Sequence, residues 1–146
     1  MIDRYTTKAM GKLWSDHNKY TVWLQVELAV LEVLCEDGIV SQSALETIKN
    51  KASFSVERIL EIEEETHHDV IAFLTNLSEN IGPEARFIHL GMTSSDLLDT
   101  SLALLCKKSG EIILDKLELF YSILIKLAIK YKHTFQIGRS HGIHAE

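Results

Sequence analysis

Three short runs in this 146-residue chain gather histidines with hydroxyls, carboxylates and glycines. They are Thr66-His67-His68-Asp69, then His89-Leu90-Gly91-Met92-Thr93-Ser94-Ser95-Asp96, and finally Gly138-Arg139-Ser140-His141-Gly142-Ile143-His144-Ala145-Glu146. Imidazole titrates closest to neutrality of all side chains, so it gives or takes a proton with little retuning. Hydroxyls and free backbone N–H groups beside it can hold an anion, and the chemistry expected is proton transfer on a carboxylate-bearing substrate. His141 and His144 form an H-x-x-H pair, but zinc requires three or four ligands and no nearby cysteine or carboxylate set completes one. No metal and no other cofactor is therefore expected. His17 and His133 read as surface or helix-end residues, and His89 reads either as a shaper of the turn before Gly91 or as a site residue.

These runs sit at the boundaries of helices. Pro83 is the single proline, and the glycines fall mostly at helix ends, a punctuation that carries no hairpin signal. Thr6 or Thr7 can cap a short helix through Trp14. Ser15 or Asp16 opens a longer one whose apolar stripe, Trp23, Val26, Val30, Val33 and Leu34, runs until Gly38. Ser41 or Ser43 caps a third helix carrying Leu45 and Ile48, and Ser55 a fourth, with Glu57 close behind. The acidic run Glu61, Glu63, Glu64, Glu65 reads as a solvated face. Val70, Phe73, Leu74 and Leu77 form a further stripe closing at Asn80 to Gly82, so His68 and Asp69 lie where one helix stops and the next begins. A helix start offers free N–H groups and a positive dipole end.

From Thr93 to about Thr134 the helical period is almost continuous, with a kink expected at Ser109-Gly110. Some forty helical residues would reach roughly 60 Å, longer than a domain of this size is wide. Leu104, Leu114, Leu119, Ile123 and Ile125 lie off the main stripe, so the helix is apolar on more than one face and packing against several neighbours is expected. The fold class is all-α.

The chain is 46% hydrophobic and 25% charged, enough to bury a core. A net charge of −6 opposes nonspecific nucleic-acid binding, which needs a basic surface. Met1 leads straight into polar residues and no apolar stretch is long enough to span a bilayer, so no membrane association is expected and the cytoplasm is the default location. Cys35 and Cys106, within apolar helical patterns, read as buried reduced thiols.

The runs together resemble the adenylosuccinate lyase branch of the fumarase/aspartase superfamily. The resemblance is carried by Arg4-Tyr5, Ala52-Ser53-Phe54, Arg58-Ile59-Leu60-Glu61-Ile62-Glu63, His68-Asp69-Val70 with Ala72-Phe73, His89-x-Gly91-x-Thr93-Ser94-x-Asp96, Asp99-Thr100, and Gly138 to Glu146. It implies a β-elimination that splits adenylosuccinate into AMP and fumarate, and likewise the succinyl-carboxamide ribotide of purine biosynthesis. It implies His141 as the general acid for the departing nitrogen and His68 as a second histidine that orients the substrate. Asp69 would fix that histidine or help bind the nucleotide, Thr93 and Ser94 would hold a succinyl carboxylate, and Arg4 and Tyr5 would contact the phosphate. The usual Arg or Lys at position 67 is His67 here, and the usual Thr before the catalytic histidine is Ser140.

The same resemblance implies a small helical domain over residues 1–92 and, over 93–146, the first long helices of a central bundle that joins subunits into a homotetramer. The family's catalytic serine and carbanion-stabilising lysine lie on a loop further along than Glu146, so the chain is expected to be an N-terminal portion, inactive alone. Argininosuccinate lyase, carboxymuconate cycloisomerase and a non-catalytic helical assembly module are the alternatives.

Overall fold

The computed structural model describes residues 2–145, so Glu146, the last residue of the third run, lies outside the described residues. The chain divides into two compact units, Met1–Ser109 and Gly110–Glu146, which are taken in turn.

In the first unit a 3-10 turn, Asp3–Tyr5, precedes α1 (Lys8–Leu13), α2 (Asp16–Glu36), α3 (Gln42–Lys51), α4 (Val56–Thr66) and α5 (Asp69–Ile81). A second 3-10 turn, Pro83–Phe87, leads to α6 (Ser94–Tyr131), whose opening residues complete the unit. Hydroxyl caps explain the starts: Thr7, Ser15, Ser41 and Ser55 each accept the N–H three residues on, at 3.4, 3.3, 3.2 and 3.3 Å. Gly82, at φ +84°, ends α5, and Pro83 then opens the 3-10 turn, where a missing N–H costs nothing.

The core is built on an aromatic cluster. Tyr20 stacks on Phe73 at 5.7 Å between ring centroids, while Trp23 meets both edge-on at 5.2 and 5.4 Å. Phe54 closes the group, and Leu31, Ile48, Ile59, Leu77, Ile81 and Leu97 pack around it. Excluding a ring the size of Phe73 from water stabilises the unit by about 1.5–3 kcal/mol. The acidic run on α4 is exposed at Glu61, Glu64 and Glu65, as its charge pattern predicts.

Two expectations are corrected in this unit. The buried residues of α2 are Tyr20, Val22, Trp23, Val26, Glu27 and Leu31, whereas Val30 is half-buried and Val33 exposed. Val30 and Val33 instead line an apolar hollow of about 610 Å³ with Ala29, Met92 and Leu104. Cys106 is exposed and Cys35 half-buried. Cys106 follows the buried Leu105, and one step of about 100° along a helix turns a side chain out of the core.

The second unit contains the rest of α6 and a two-stranded antiparallel hairpin, β1 (Gly138–Ser140) and β2 (Ile143–Ala145). The backbone is helical through Ser109 and Gly110. Along this part of the helix Leu114, Leu117, Phe120, Ile123, Leu124 and Ile129 are all exposed. The hairpin overturns the expectation of helix punctuation only. Its register places Arg139 opposite His144 and Ser140 opposite Ile143, leaving His141 and Gly142 as the turn. Both turn residues have positive φ, +48° and +79°, the sign pattern of a type I′ turn, which suits strand twist and calls for glycine at its second position.

Candidate active site

His67 and His68 divide the work at the α4–α5 junction. His67 ends α4 in the left-handed region at φ +50°, and its N–H returns to the Glu63 carbonyl at 2.8 Å. His68 is the N-cap of α5, its Nδ1 accepting the Ile71 N–H at 3.4 Å. An accepting Nδ1 is unprotonated, so in the neutral ring the proton sits on Nε2. Asp69 Oδ1 lies 3.7 Å from the same Nδ1, beyond hydrogen-bond range, and takes the Val70 N–H at 2.7 Å instead. Both side chains are about two-fifths exposed, and the carboxylate stands in the first turn, where the helix dipole favours a negative charge. Asp69 also lines a hollow of about 320 Å³ with Asp16, Lys19, Asp99 and Ser101, walled by Trp14 and Trp23.

The second run is anchored from inside. Glu27, in the buried stripe of α2, accepts the backbone N–H of His89 through Oε2 at 2.9 Å and meets His89 Nδ1 through Oε1 at 2.6 Å. A buried carboxylate needs such partners, because desolvating it uncompensated is strongly unfavourable. His89 is held at φ +63°, and Gly91, at φ +75°, turns the chain toward Thr93. There the Thr93 N–H donates to Asp96 Oδ2 at 2.8 Å and the Asp96 N–H returns to the Thr93 carbonyl at 3.0 Å. This reciprocal lock fixes Thr93 and Ser94 at the first turn of α6, beside its free N–H groups.

Arg4 and Tyr5 are exposed in the 3-10 turn, with the guanidinium 4.8 Å above the Tyr5 ring. No hydrogen bond or ion pair among the described residues joins Arg4 and Tyr5, the His68-Asp69 pair and the Thr93-Ser94 pair to one another. His141 belongs to the second unit, exposed at the tip of the hairpin, with His144 exposed on β2. Among the described residues no group of three or more His, Cys, Asp or Glu side chains is placed to hold a metal ion.

Sequence reasoning passed over Glu27. Its signal was available: an acidic residue four positions after Trp23 and four before Leu31 occupies the core stripe of its helix, a place a carboxylate takes only with a partner.

No helix among the described residues is long and apolar enough to cross a membrane. Residues 3–146 match the family model described as Lyase, and the chain belongs to that family. It is 51% identical to the adenylosuccinate lyase of Synechocystis sp. over 146 residues, 100% of this chain and 34% of that protein. It is 44% identical to the adenylosuccinate lyase of Thermotoga maritima, with the same coverage. The crystal structure of 3-carboxy-cis,cis-muconate lactonizing enzyme from Pseudomonas putida matches with a TM-score of 0.89 at 27% identity, covering 99% of this chain and 35% of that one. The chain thus spans about a third of the length of the curated relatives it matches.

Proposed function

We propose that this chain is the N-terminal portion of an adenylosuccinate lyase, cleaving adenylosuccinate to AMP and fumarate in the cytoplasm. The observation that carries the reading is the 51% identity to one such enzyme along the entire chain, against 27% to the muconate lactonizing enzyme of the same fold. Residues 1–92 form the small helical domain and 93–146 open the central bundle. The apolar side chains exposed along α6, from Leu114 to Ile129, support a homotetramer in which other helices cover them.

In the reaction, a base from the part of the protein beyond Glu146 removes the proton on the succinyl carbon next to the one bearing nitrogen. That electron pair becomes the fumarate double bond as the C–N bond breaks. The departing nitrogen carries off the bonding pair and takes a proton from His141, because an amine leaves poorly as an anion. His68, with Nδ1 committed to its cap, offers Nε2–H to the substrate, and the Asp69 carboxyl stands beside it. Thr93 and Ser94 hold a succinyl carboxylate, Arg4 and Tyr5 contact the phosphate, and His67 is a further substrate-binding residue.

The test is fumarate release by the full-length protein carrying this chain. His141→Asn keeps a residue that suits a type I′ turn and removes the donor, so activity is expected to fall by about 100-fold or more. The 146-residue chain alone is expected to release no fumarate. A full-length protein that ignores adenylosuccinate but turns over argininosuccinate or a carboxymuconate would overturn the reading.

A further inference from the structure

Glu27 is fully buried, yet it has no place in the chemistry above. Both of its oxygens are spent on one residue, His89, whose backbone N–H and Nδ1 lie at 2.9 and 2.6 Å. We propose that Glu27 is a positioning residue: it fixes the proton of His89 on Nδ1, holds that residue in the left-handed region, and thereby sets the loop that delivers Thr93 and Ser94.

A carboxylate only accepts hydrogen bonds, so a short contact between Oε1 and Nδ1 puts the proton on the nitrogen. Imidazole then has a single open nitrogen, Nε2, which none of the hydrogen bonds among the described residues uses. The backbone bond has its own effect. A residue with a Cβ is disfavoured at φ +63°, and the buried oxygen on its N–H offsets that cost. The His89 carbonyl in turn takes the Met92 N–H at 3.2 Å, so the grip passes along the loop to the start of α6.

His68 supplies an internal contrast, because its capping Nδ1 must be bare and its ring protonated at Nε2. Nitrogen-15 spectra of the histidine rings in the 146-residue chain, above the pH at which they lose charge, distinguish the two forms. His89 is expected as the Nδ1–H form, assigned by its loss in His89→Asn, and His68 as the Nε2–H form. In Glu27→Gln, whose single carbonyl oxygen cannot serve both donors, the His89 signals are expected to move toward the Nε2–H form while the helical circular dichroism is retained. Finding wild-type His89 as Nε2–H, or unmoved by Glu27→Gln, would overturn the proposal.

The catalytic consequence rests on the lyase reading. In the full-length protein Glu27→Gln is expected to raise KM for adenylosuccinate roughly three- to tenfold, with a smaller change in kcat, as for a loosened binding loop. An unchanged KM with the spectral shift present would remove the loop-setting part of the proposal. A protein inactive on adenylosuccinate would sink the lyase reading and leave the spectral result standing on its own.

Discussion

The buried amide of Asn76, on α5, takes up the backbone N–H of Ser55, the residue that caps α4, at 3.0 Å. In a capping box that N–H is satisfied by a Glu or Gln three residues into the helix. Here that position is Arg58, which has nothing to accept with, and the neighbouring helix supplies the oxygen instead. Asn76 also donates to Glu79 at 3.2 Å, and Asn80 donates to the Ser53 carbonyl at 2.9 Å. The start of α4 is thus held by α5.

Asn76→Leu would strand the Ser55 N–H and remove the tie between the helices, while keeping the branching and heavy-atom count of the side chain. A loss of about 1–3 kcal/mol is expected, the cost of one part-buried donor left without a partner. Urea unfolding followed by circular dichroism measures it. A stability within 0.5 kcal/mol of the parent would show that water replaces the amide at roughly no cost.

The ion pair beside this junction sets a pH dependence. Arg58 meets Glu79 at 2.8 Å and Glu61 at 3.0 Å, and its hydrogen bonds, followed by that of Asn76, hold the Glu79 carboxyl below its usual 4.5. Glu57 is lowered as well, first by its own backbone N–H and then by the Ser55 hydroxyl. A carboxyl with a depressed folded pKa stabilises fully above its unfolded value, and that stability disappears as the pH falls through the folded one. Unfolding midpoints are therefore expected to drop below about pH 4.5, and to drop less steeply in Glu79→Gln. Parallel curves for the two proteins would contradict the assignment. Because both partners are exposed, salt flattens the difference.

His68 has two duties that substitution can separate. His68→Ala removes the cap of α5 and is expected to cost about 0.5–2 kcal/mol, while His68→Asn, a strong N-cap, keeps or improves stability. Neither retains an imidazole, so both are expected to lose lyase activity in the full-length protein. Wild-type turnover in His68→Asn, alongside intact melting, would reduce the residue to its cap.

The helix starts were legible because each depends on one hydroxyl and the residues next to it, as at Thr7, Ser15, Ser41 and Ser55. The run at His68-Asp69 was legible for the same local reason. What the sequence concealed depends on distant partners. Glu27 and Asn76 look like ordinary polar residues until a loop or helix far along the chain meets them. The hairpin was missed because His141 stands where Asn or Asp is the usual signal before glycine, although imidazole also tolerates the left-handed region. Cys106 was misjudged because α6 is apolar on several sides, so apolar neighbours along the chain do not identify the face turned inward.

The separation of bonded partners along the chain also implies an order of assembly. Asn76 and Ser55 are 21 positions apart, and Arg58 and Glu79 likewise, so α4 and α5 close on each other as a local hairpin of helices. Glu27 and His89 are 62 apart, and a bond across that span must wait until most of the intervening chain has found its place. The loop before α6 is therefore expected to be fixed after the α4–α5 pair has closed, as is the bond from Trp14 to Ser109, whose partners lie 95 positions apart. In unfolding the reverse order is expected: Thr93 and Ser94 lose their alignment while the α4–α5 pair still holds, so the proposed binding groups would fail before the fold does.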